Sequence, residues 1–374
     1  MEKMKPIFSV ILTGVLLVAG VAIYILLDRD GDEATNVVYY VVEPPYSMKG
    51  ALAANQIDGY IAWEPFVSDS IVGGVGSVLK WSGDILPNHP CCVVAVHNAF
   101  VSDTDGQELT ARFVKAHMDA TDWINEALDD PDGANYSLLV DIAVDFTERN
   151  ESVVAEAMQH LEFRYVMDEG FTNALENFTE MYFEIGVIKE EKLDDRGYSS
   201  VDDFIDGYVD DSYLAAAETV GPSDTMLNPE SPIRLGFLKG DIHQLAQAVA
   251  KNADVLGSGE SIFEEYGLNV EDAIGAPFAN GGAVMTAFAG GYVDIGYLGS
   301  PPAITGHLNA AIDTSIIGQA NSEGSAIVVQ ADLGISDLSG LAGKTIAHPG
   351  TSSIQFLLLK VALQLEGLEL KIRT

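Results

Sequence analysis

A stretch of this chain returns later with its spacing intact. "ALAANQIDGYIAWEPF" (51–66) is echoed by "AFAGGYVDIGYLGSPP" (287–302), so that Ala51, Ala53, Asp58 and Pro65 fall on Ala287, Ala289, Asp294 and Pro301. Each copy reads as a helix end, a turn, a strand and a second turn. The proline of that last turn opens the next helix, where its missing N–H is not needed. A chain that makes this unit twice is bound to an α/β fold with two like halves.

The rest of the sequence agrees with that constraint. "NVVYYVV", "IDGYIAW", "GSVLKWSG" and "CCVVAVH" read as strands from their β-branched and aromatic content. From Glu108 the pattern turns helical. "ELTARFVKAHMDATDWINEAL" sets Phe113, Val114, His117, Met118, Thr121 and Ile124 along one stripe. "ESVVAEAMQHL", "TNALENFTEMYFEIGVI" and "VDDFIDGYVDDSYLAAA" continue it, so His117 and His160 are expected within helices. Residues 218–232, "ETVGPSDTMLNPESP", carry three prolines and no apolar period and read as an interdomain linker. Strands and helices alternate again beyond it, as parallel-sheet units require. The expected divisions are an anchor at 1–29, a lobe at 30–217, the linker at 218–232 and a second lobe at 233–374.

Composition narrows the function. The chain has 374 residues and a net charge of −37, from 56 acidic and 19 basic residues. Nucleic-acid binding needs a basic footprint, so no nucleic-acid partner is expected. Lys3 and Lys5 precede "IFSVILTGVLLVAGVAIYILL" (7–27), an uncharged run long enough to cross a bilayer. Lysines before it and "DRDGDE" after it orient the rest outward. No small-x-small cleavage site and no lipid-accepting cysteine follows, so an uncleaved single anchor in the cell membrane is expected. Sequons at Asn135, Asn150 and Asn177 fit an extracytoplasmic location.

Three turns share one design, in which a strand ends, small residues follow and a helix begins. They are "LKGDIH" (238–243), "LGSPP" (298–302) and "HPGTSS" (348–353). Ligands of open α/β sheets sit at such strand ends, and a helix start offers free N–H groups to an anion. Asp241 with Gln244 and Ser352 with Gln355 have capping-box spacing. The same turns serve equally as plain helix caps. In the first half Trp63, Glu64, Trp81, Asn88 and His89 are the candidates. Trp63–Glu64 stands where the repeat puts Gly299–Ser300. Core packing is the ordinary fate of the tryptophans, and a solvated helix start that of Glu64.

His89, Cys91, Cys92 and His97 are four soft ligands, but their spacing matches no zinc pattern. Adjacent side chains on a strand point to opposite faces. No metal is expected, and both cysteines read as small buried hydrophobes. G-x-S-x-G, P-loop and H-E-x-x-H motifs are absent from the sequence. No enzymatic activity and no cofactor is expected.

"IRLGFLKGDIHQLAQAVAKN … AVMTAFAGGYVDIGYLGSPPAI … GQANSEGSAIVV … DLSGLAGKTIAHPGTSSIQFLLLKVAL" resembles the first lobe of the nitrate/sulfonate/taurine-type substrate-binding proteins of ABC importers. "PPYSMKGALAANQIDGYIAWEPFVS … SGDILPNHPCCVVAVHNAFV … RFVKAHMDATDWINE" resembles the second lobe of the same family. The lobes stand in the reverse of the family's order, so the chain resembles a circular permutant; a piece of a tandem array is the rival reading. The resemblance implies a periplasmic-binding-protein type II fold, with two α/β lobes and a ligand cleft between them. It implies a small anionic solute, an ABC permease with its ATPase as partners, and a hinge in which one crossover ends as free termini. The site it suggests combines Asp241, His243, Ser300, Thr351, Ser352 and Ser353 with Trp63, Glu64, Asn88 and His89. A thiamine-precursor pyrimidine is the alternative ligand, a ligand-sensing protein without transport is the alternative role, and a pyrimidine synthase shares the fold.

Overall fold

The computed structural model describes residues 36–373. The apolar run 7–27 lies outside the described residues, and no helix among those described is long and apolar enough to cross a membrane. In chain order the strands are β1 (Val37–Val42), β2 (Gly59–Trp63), β3 (Gly76–Trp81), β4 (Cys92–His97), β5 (Leu161–Phe163), β6 (Ile233–Gly236), β7 (Val270–Asp272), β8 (Ile295–Gly299), β9 (Thr314–Gln319), β10 (Asn321–Glu323), β11 (Ser325–Gln330), β12 (Thr345–His348) and β13 (Glu369–Ile372).

Eleven of them form a six-stranded sheet, ordered β13-β1-β12-β2-β11-β3, and a five-stranded sheet, ordered β7-β6-β8-β4-β9, while β10 and β5 pair separately as an antiparallel ribbon. In the first, β13, β1, β12 and β2 are parallel and β11 runs against both neighbours. In the second, β7, β6 and β8 are parallel and β4 runs against both neighbours. Without β13 the two sheets follow one plan, and the repeated strands β2 and β8 hold the same place in it. Both are central and buried nearly throughout, which suits their almost unbroken apolar runs. Two mixed sheets with helices around them fit the binding-protein-like α/β fold.

The repeated aspartate explains the repeated register. Asp58 Oδ2 accepts a hydrogen bond from the Thr345 N–H at 2.8 Å, while Asp58 N–H donates to Thr345 O at 2.9 Å. Asp294 Oδ2 accepts from the Arg234 N–H at 2.9 Å, while Asp294 N–H donates to Arg234 O at 2.9 Å. Thr345 opens β12, and Arg234 lies in β6, the matching strand. Each aspartate ties the start of its strand to the parallel neighbour, where the ladder alone would leave groups unpaired.

The sheets divide the chain at other points than the sequence suggested. The six-stranded lobe takes β1–β3 from before residue 218 and β11–β13 from after it; the five-stranded lobe takes β4 from before and β6–β9 from after. Residues 218–232 stay within the five-stranded lobe, running from the helix Ser212–Ala217 to β6. They are pinned there by Ser223 N–H to Glu265 O (2.8 Å), Leu227 N–H to Gly267 O (2.8 Å) and a buried Asn228 whose amide donates to Asn269 O (2.8 Å). The lobes are joined instead by residues 82–91 and 320–324. Both crossovers are continuous, so the hinge does not end in free termini. The terminal strands β1 and β13 pair with each other inside one lobe.

Local differences have local causes. The long helix Thr104–Asp129 is capped by Asp103, whose carboxylate accepts from Gly106 N–H at 2.9 Å. His117 on its buried face donates from Nε2 to Gln319 O (2.8 Å) and accepts at Nδ1 from the Tyr297 hydroxyl (3.0 Å). Burial pushes its pKa down to about 4. His160 lies just beyond its helix, Glu151–Ala157, and stacks on Trp81 at 3.9 Å. The helix Ala134–Thr147 was not foreseen, having no capping side chain at Gly133 to announce it. Neither proposed capping box forms. Gln244 turns away to accept from Leu238 N–H (2.8 Å), and Gln355 donates to Ser325 Oγ (2.9 Å). A capping box does form at Ser261–Glu264.

Candidate functional site

The three strand-end turns meet. A cleft with a cavity volume of about 120 Å³ is lined by Leu238, Asp241 and His243 from the first turn, Gly299 and Pro302 from the second, and Pro349 to Gln355, except Thr351, from the third. The first two belong to the five-stranded lobe and the third to the six-stranded lobe, so the cleft lies between them. Trp63 at the tip of β2 completes one wall. On its other side lies a recess of about 350 Å³ that carries Arg149 and Lys239. Arg149 pairs with Asp69 at 3.1 Å and Lys239 with Glu148 at 3.5 Å.

Three helices begin at this cleft. The helix Gly281–Ala289 is capped by Asn280, whose side chain accepts from Ala283 N–H at 3.0 Å. The helix Ile354–Leu365 is capped by Ser353, whose hydroxyl accepts from Phe356 N–H at 3.2 Å. The helix Ser300–Ala310 starts with prolines and no side-chain cap. Their N-terminal ends carry partial positive charge toward one space. Gly281 is needed here, because a Cβ on it would sit 2.7 Å from the Pro302 ring. Tyr182, buried on the helix Glu169–Glu184, donates its hydroxyl to Ser353 O at 3.1 Å and so tethers the cap of Ile354–Leu365.

The sequence candidates fall into two groups. Asp241, His243, Trp63, Ser352 and Ser353 line the cleft. Glu64, Ser300, Thr351, Asn88 and His89 are not in its lining. Glu64 is buried and folds back on its own helix start, accepting from Ser68 N–H (2.9 Å) and Ser68 Oγ–H (2.8 Å). Burial pushes its pKa up to about 7. Ser300 is buried with its N–H on Cys91 O at 2.8 Å. Thr351 is exposed. Asn88 is exposed in a left-handed conformation, φ 58°, and donates its N–H to Glu323. His89 is buried with Nδ1 2.7 Å from Leu86 O, and burial lowers its pKa.

Sequence reasoning missed Cys91 and Cys92 as cleft residues, along with Asn280 and Gln355. The cysteines are buried, as foreseen, but their thiols do not part to opposite faces. His243 Nδ1 lies 3.2 Å from Cys91 Sγ, and its Nε2 lies 3.1 Å from Gly324 O. A carbonyl only accepts, so Nε2 carries a proton. The Cys92 thiol is 3.7 Å from Asp241 Oδ2. A hydrogen bond from Cys92, aided by His243, holds the Cys91 thiol well below its usual range, while burial pushes Cys92 well above it. Burial lowers the His243 pKa, but the charges of Cys91 and Asp241 outweigh it and raise the value to about 9. Burial pushes Asp241 up to about 7.

Residues 17–137 match the model of the NMT1-like family. That span is about a third of the chain and runs through β1–β4 and the helix Thr104–Asp129. The NMT1-like family belongs with the nitrate-, sulfonate- and thiamine-precursor-binding proteins. No curated protein matches the chain.

Proposed function

We propose that the chain is the solute-binding component of an ABC importer, which captures a small anion or organic anion between its lobes and delivers it to a permease and its ATPase. The observation that carries this reading is the convergence of three helix N-termini, drawn from both lobes, on one cleft. The three helix dipoles, together with the N–H groups left free at the starts of Gly281–Ala289 and Ile354–Leu365, hold an anion without a net positive surface; Ser300–Ala310 adds mainly its dipole, since Pro301 and Pro302 have no N–H and the Ser300 N–H is bonded to Cys91 O. That resolves how a chain of charge −37 receives an anionic solute. Helices from both lobes would engage the solute together, and closure about the crossovers 82–91 and 320–324 follows the hinge pattern of such proteins. The site makes and breaks no bond in this reading. The apolar run 7–27 anchors the lobes on the extracytoplasmic side, where the exposed Asn135, Asn150 and Asn177 are accessible to glycosylation.

The reading of the chain as a permuted form of the family is supported by the matched plans of the two sheets and by the pairing of β1 with β13 inside one lobe. A pyrimidine thiamine precursor is the second reading. Trp63 favours it, since its indole lines the cleft and its Nε1 has no hydrogen-bond partner.

The test is thermal unfolding of the full chain against nitrate, sulfate, taurine, alkylsulfonates and hydroxymethylpyrimidine. A ligand at a hundred times its dissociation constant adds about 2.7 kcal/mol to the folded state. A shift with one of the anions supports the first reading and a shift with the pyrimidine alone supports the second. A cooperative melt that no compound moves counts against both.

A further inference from the structure

The cysteine pair at the cleft has a use that the solute reading leaves untouched. Cys91 Sγ, Cys92 Sγ and one ring nitrogen of His243 all lie within 4.8 Å of one another. All three residues line the cleft. Tetrahedral zinc with bonds of about 2.3 Å to sulfur and 2.0–2.1 Å to nitrogen sets its ligands roughly 3.3–3.8 Å apart. The Cys91–His243 separation of 3.2 Å is just short of that spacing. Adjacent cysteines reach one point because they straddle the start of a strand. Cys92 is the first residue of β4, while Cys91 precedes it, outside the regular ladder, with its N–H on Asn321 O at 3.1 Å. Strict alternation therefore does not apply between them.

The imidazole is set for ligation. Its Nε2–H donates to Gly324 O, which leaves Nδ1 directed at the thiols. A backbone carbonyl on the far ring nitrogen is the usual outer support of a metal-bound histidine. Gly324, at φ 78°, makes this approach possible, since a Cβ there would lie 2.5 Å from His243 Nε2. Asp241 stands beside the cluster, with Oδ1 3.9 Å from His243 Nδ1 and Oδ2 3.7 Å from Cys92 Sγ. Gln244 donates to that Oδ2 at 3.0 Å and fixes the carboxyl. Two residues before Cys91, His89 keeps a buried Nε2 without any hydrogen-bond partner.

We propose that Cys91, Cys92 and His243 form a three-ligand site for a soft metal ion, Zn²⁺ or Cu⁺, with its remaining coordination position open to the cleft. Two thiolates and an imidazole select these ions over Mg²⁺ and Ca²⁺, which take oxygen ligands. A closed structural site would have four protein ligands. Three ligands facing a cavity leave room for a donor atom of a bound molecule.

The experiment is titration of the metal-free full chain with Co²⁺, as a spectroscopic stand-in for Zn²⁺, and separately with Cu⁺. The expected result is one equivalent bound, with thiolate-to-cobalt charge transfer and the absorption of a tetrahedral ion, displaced by Zn²⁺, or one equivalent of Cu⁺ held against a competing chelator. C91S, C92S and H243Q should each weaken binding by more than about 100-fold, above the cost of losing an outer-shell partner. The control E260Q, on an exposed turn, should bind as the parent does. Weak uptake of several ions without thiolate absorption would mean binding by surface carboxylates and would overturn the site. Should the variants fail to fold, protection of both thiols from alkylation by one equivalent of Zn²⁺ tests the parent chain directly; no protection refutes the proposal. Uptake is read without any solute, so its outcome is independent of the solute-binding reading.

Discussion

Asp58 and Asp294 do the same work in the two lobes, yet a few residues further on the lobes part. At the tip of β8 the chain passes through Gly299 and Ser300 into a proline-started helix, and the backbone there borders the cleft. At the tip of β2 the matching positions are Trp63 and Glu64. The indole becomes a wall of the cleft, and the carboxyl is withdrawn to cap its own helix. The repeat therefore keeps what the sheet needs and varies what the cavity sees. Spacing that supports a fold survives in both copies, and the residues that shape a binding surface do not.

Substitution can break this comparison. The largest effect is expected at Asp294, which also forms a two-point ion pair with the Arg234 guanidinium. Asp294→Ala should lose roughly 3 kcal/mol by chemical denaturation, because the buried carboxylate takes charge-assisted hydrogen bonds from the Arg234 N–H and from a guanidinium that is itself half exposed. Next comes Glu64, which has no acidic counterpart in the other lobe. Its folded pKa, about 7, lies above the ordinary 4.5, so the unfolded chain releases the proton first. Stability from this group is present below pH 4.5 and is lost as pH rises through 7. Glu64→Gln should thus be close to neutral at pH 4.5 and stabilising by about 2 kcal/mol at pH 8. A gain of the same size at both pH values would show that the carboxyl is not held neutral.

Two smaller effects sharpen the same contrast. Asp58 bonds the Thr345 N–H as Asp294 bonds Arg234, but among the described residues the cation beside it is Lys344, at 3.9 Å. Asp58→Ala should cost about 1 kcal/mol. Equal losses at Asp58 and Asp294 would mean that the guanidinium adds nothing. The smallest change is Ser353→Ala at the cleft, which removes a helix cap worth about 0.5–1 kcal/mol. Its melting temperature should fall only slightly, and a larger drop would assign the hydroxyl a second role.

The parts legible in the sequence are those with a local cause. β1, β2, β3 and β4 follow from β-branched runs, and the three cleft turns from small residues between a strand and a helix. The lobes were not legible in the same way. The crossovers 82–91 and 320–324 are short and ordinary in composition, whereas the proline-rich 218–232 looks like a boundary and is packed within one lobe. The Cys91–His243 contact spans 152 residues of sequence, and no spacing rule joins a histidine on one strand-end turn to cysteines at the start of another strand. His89 and His97 stand nearer to the cysteines in sequence. Folding instead placed His97 at the far end of β4, with its Nδ1 accepting from Ala99 N–H at 3.1 Å.

The pairing of β1 between β12 and β13 has a consequence for how the molecule is made. "VVYYVV" emerges from the ribosome before either of its neighbours, which follow about 300 residues later. Until then it is an unpaired, β-prone segment of the kind that seeks other chains. The five-stranded lobe has all its strands once β9 is synthesised, so it can assemble first. The six-stranded lobe closes later, when β12 and then β13 take their places on either side of β1.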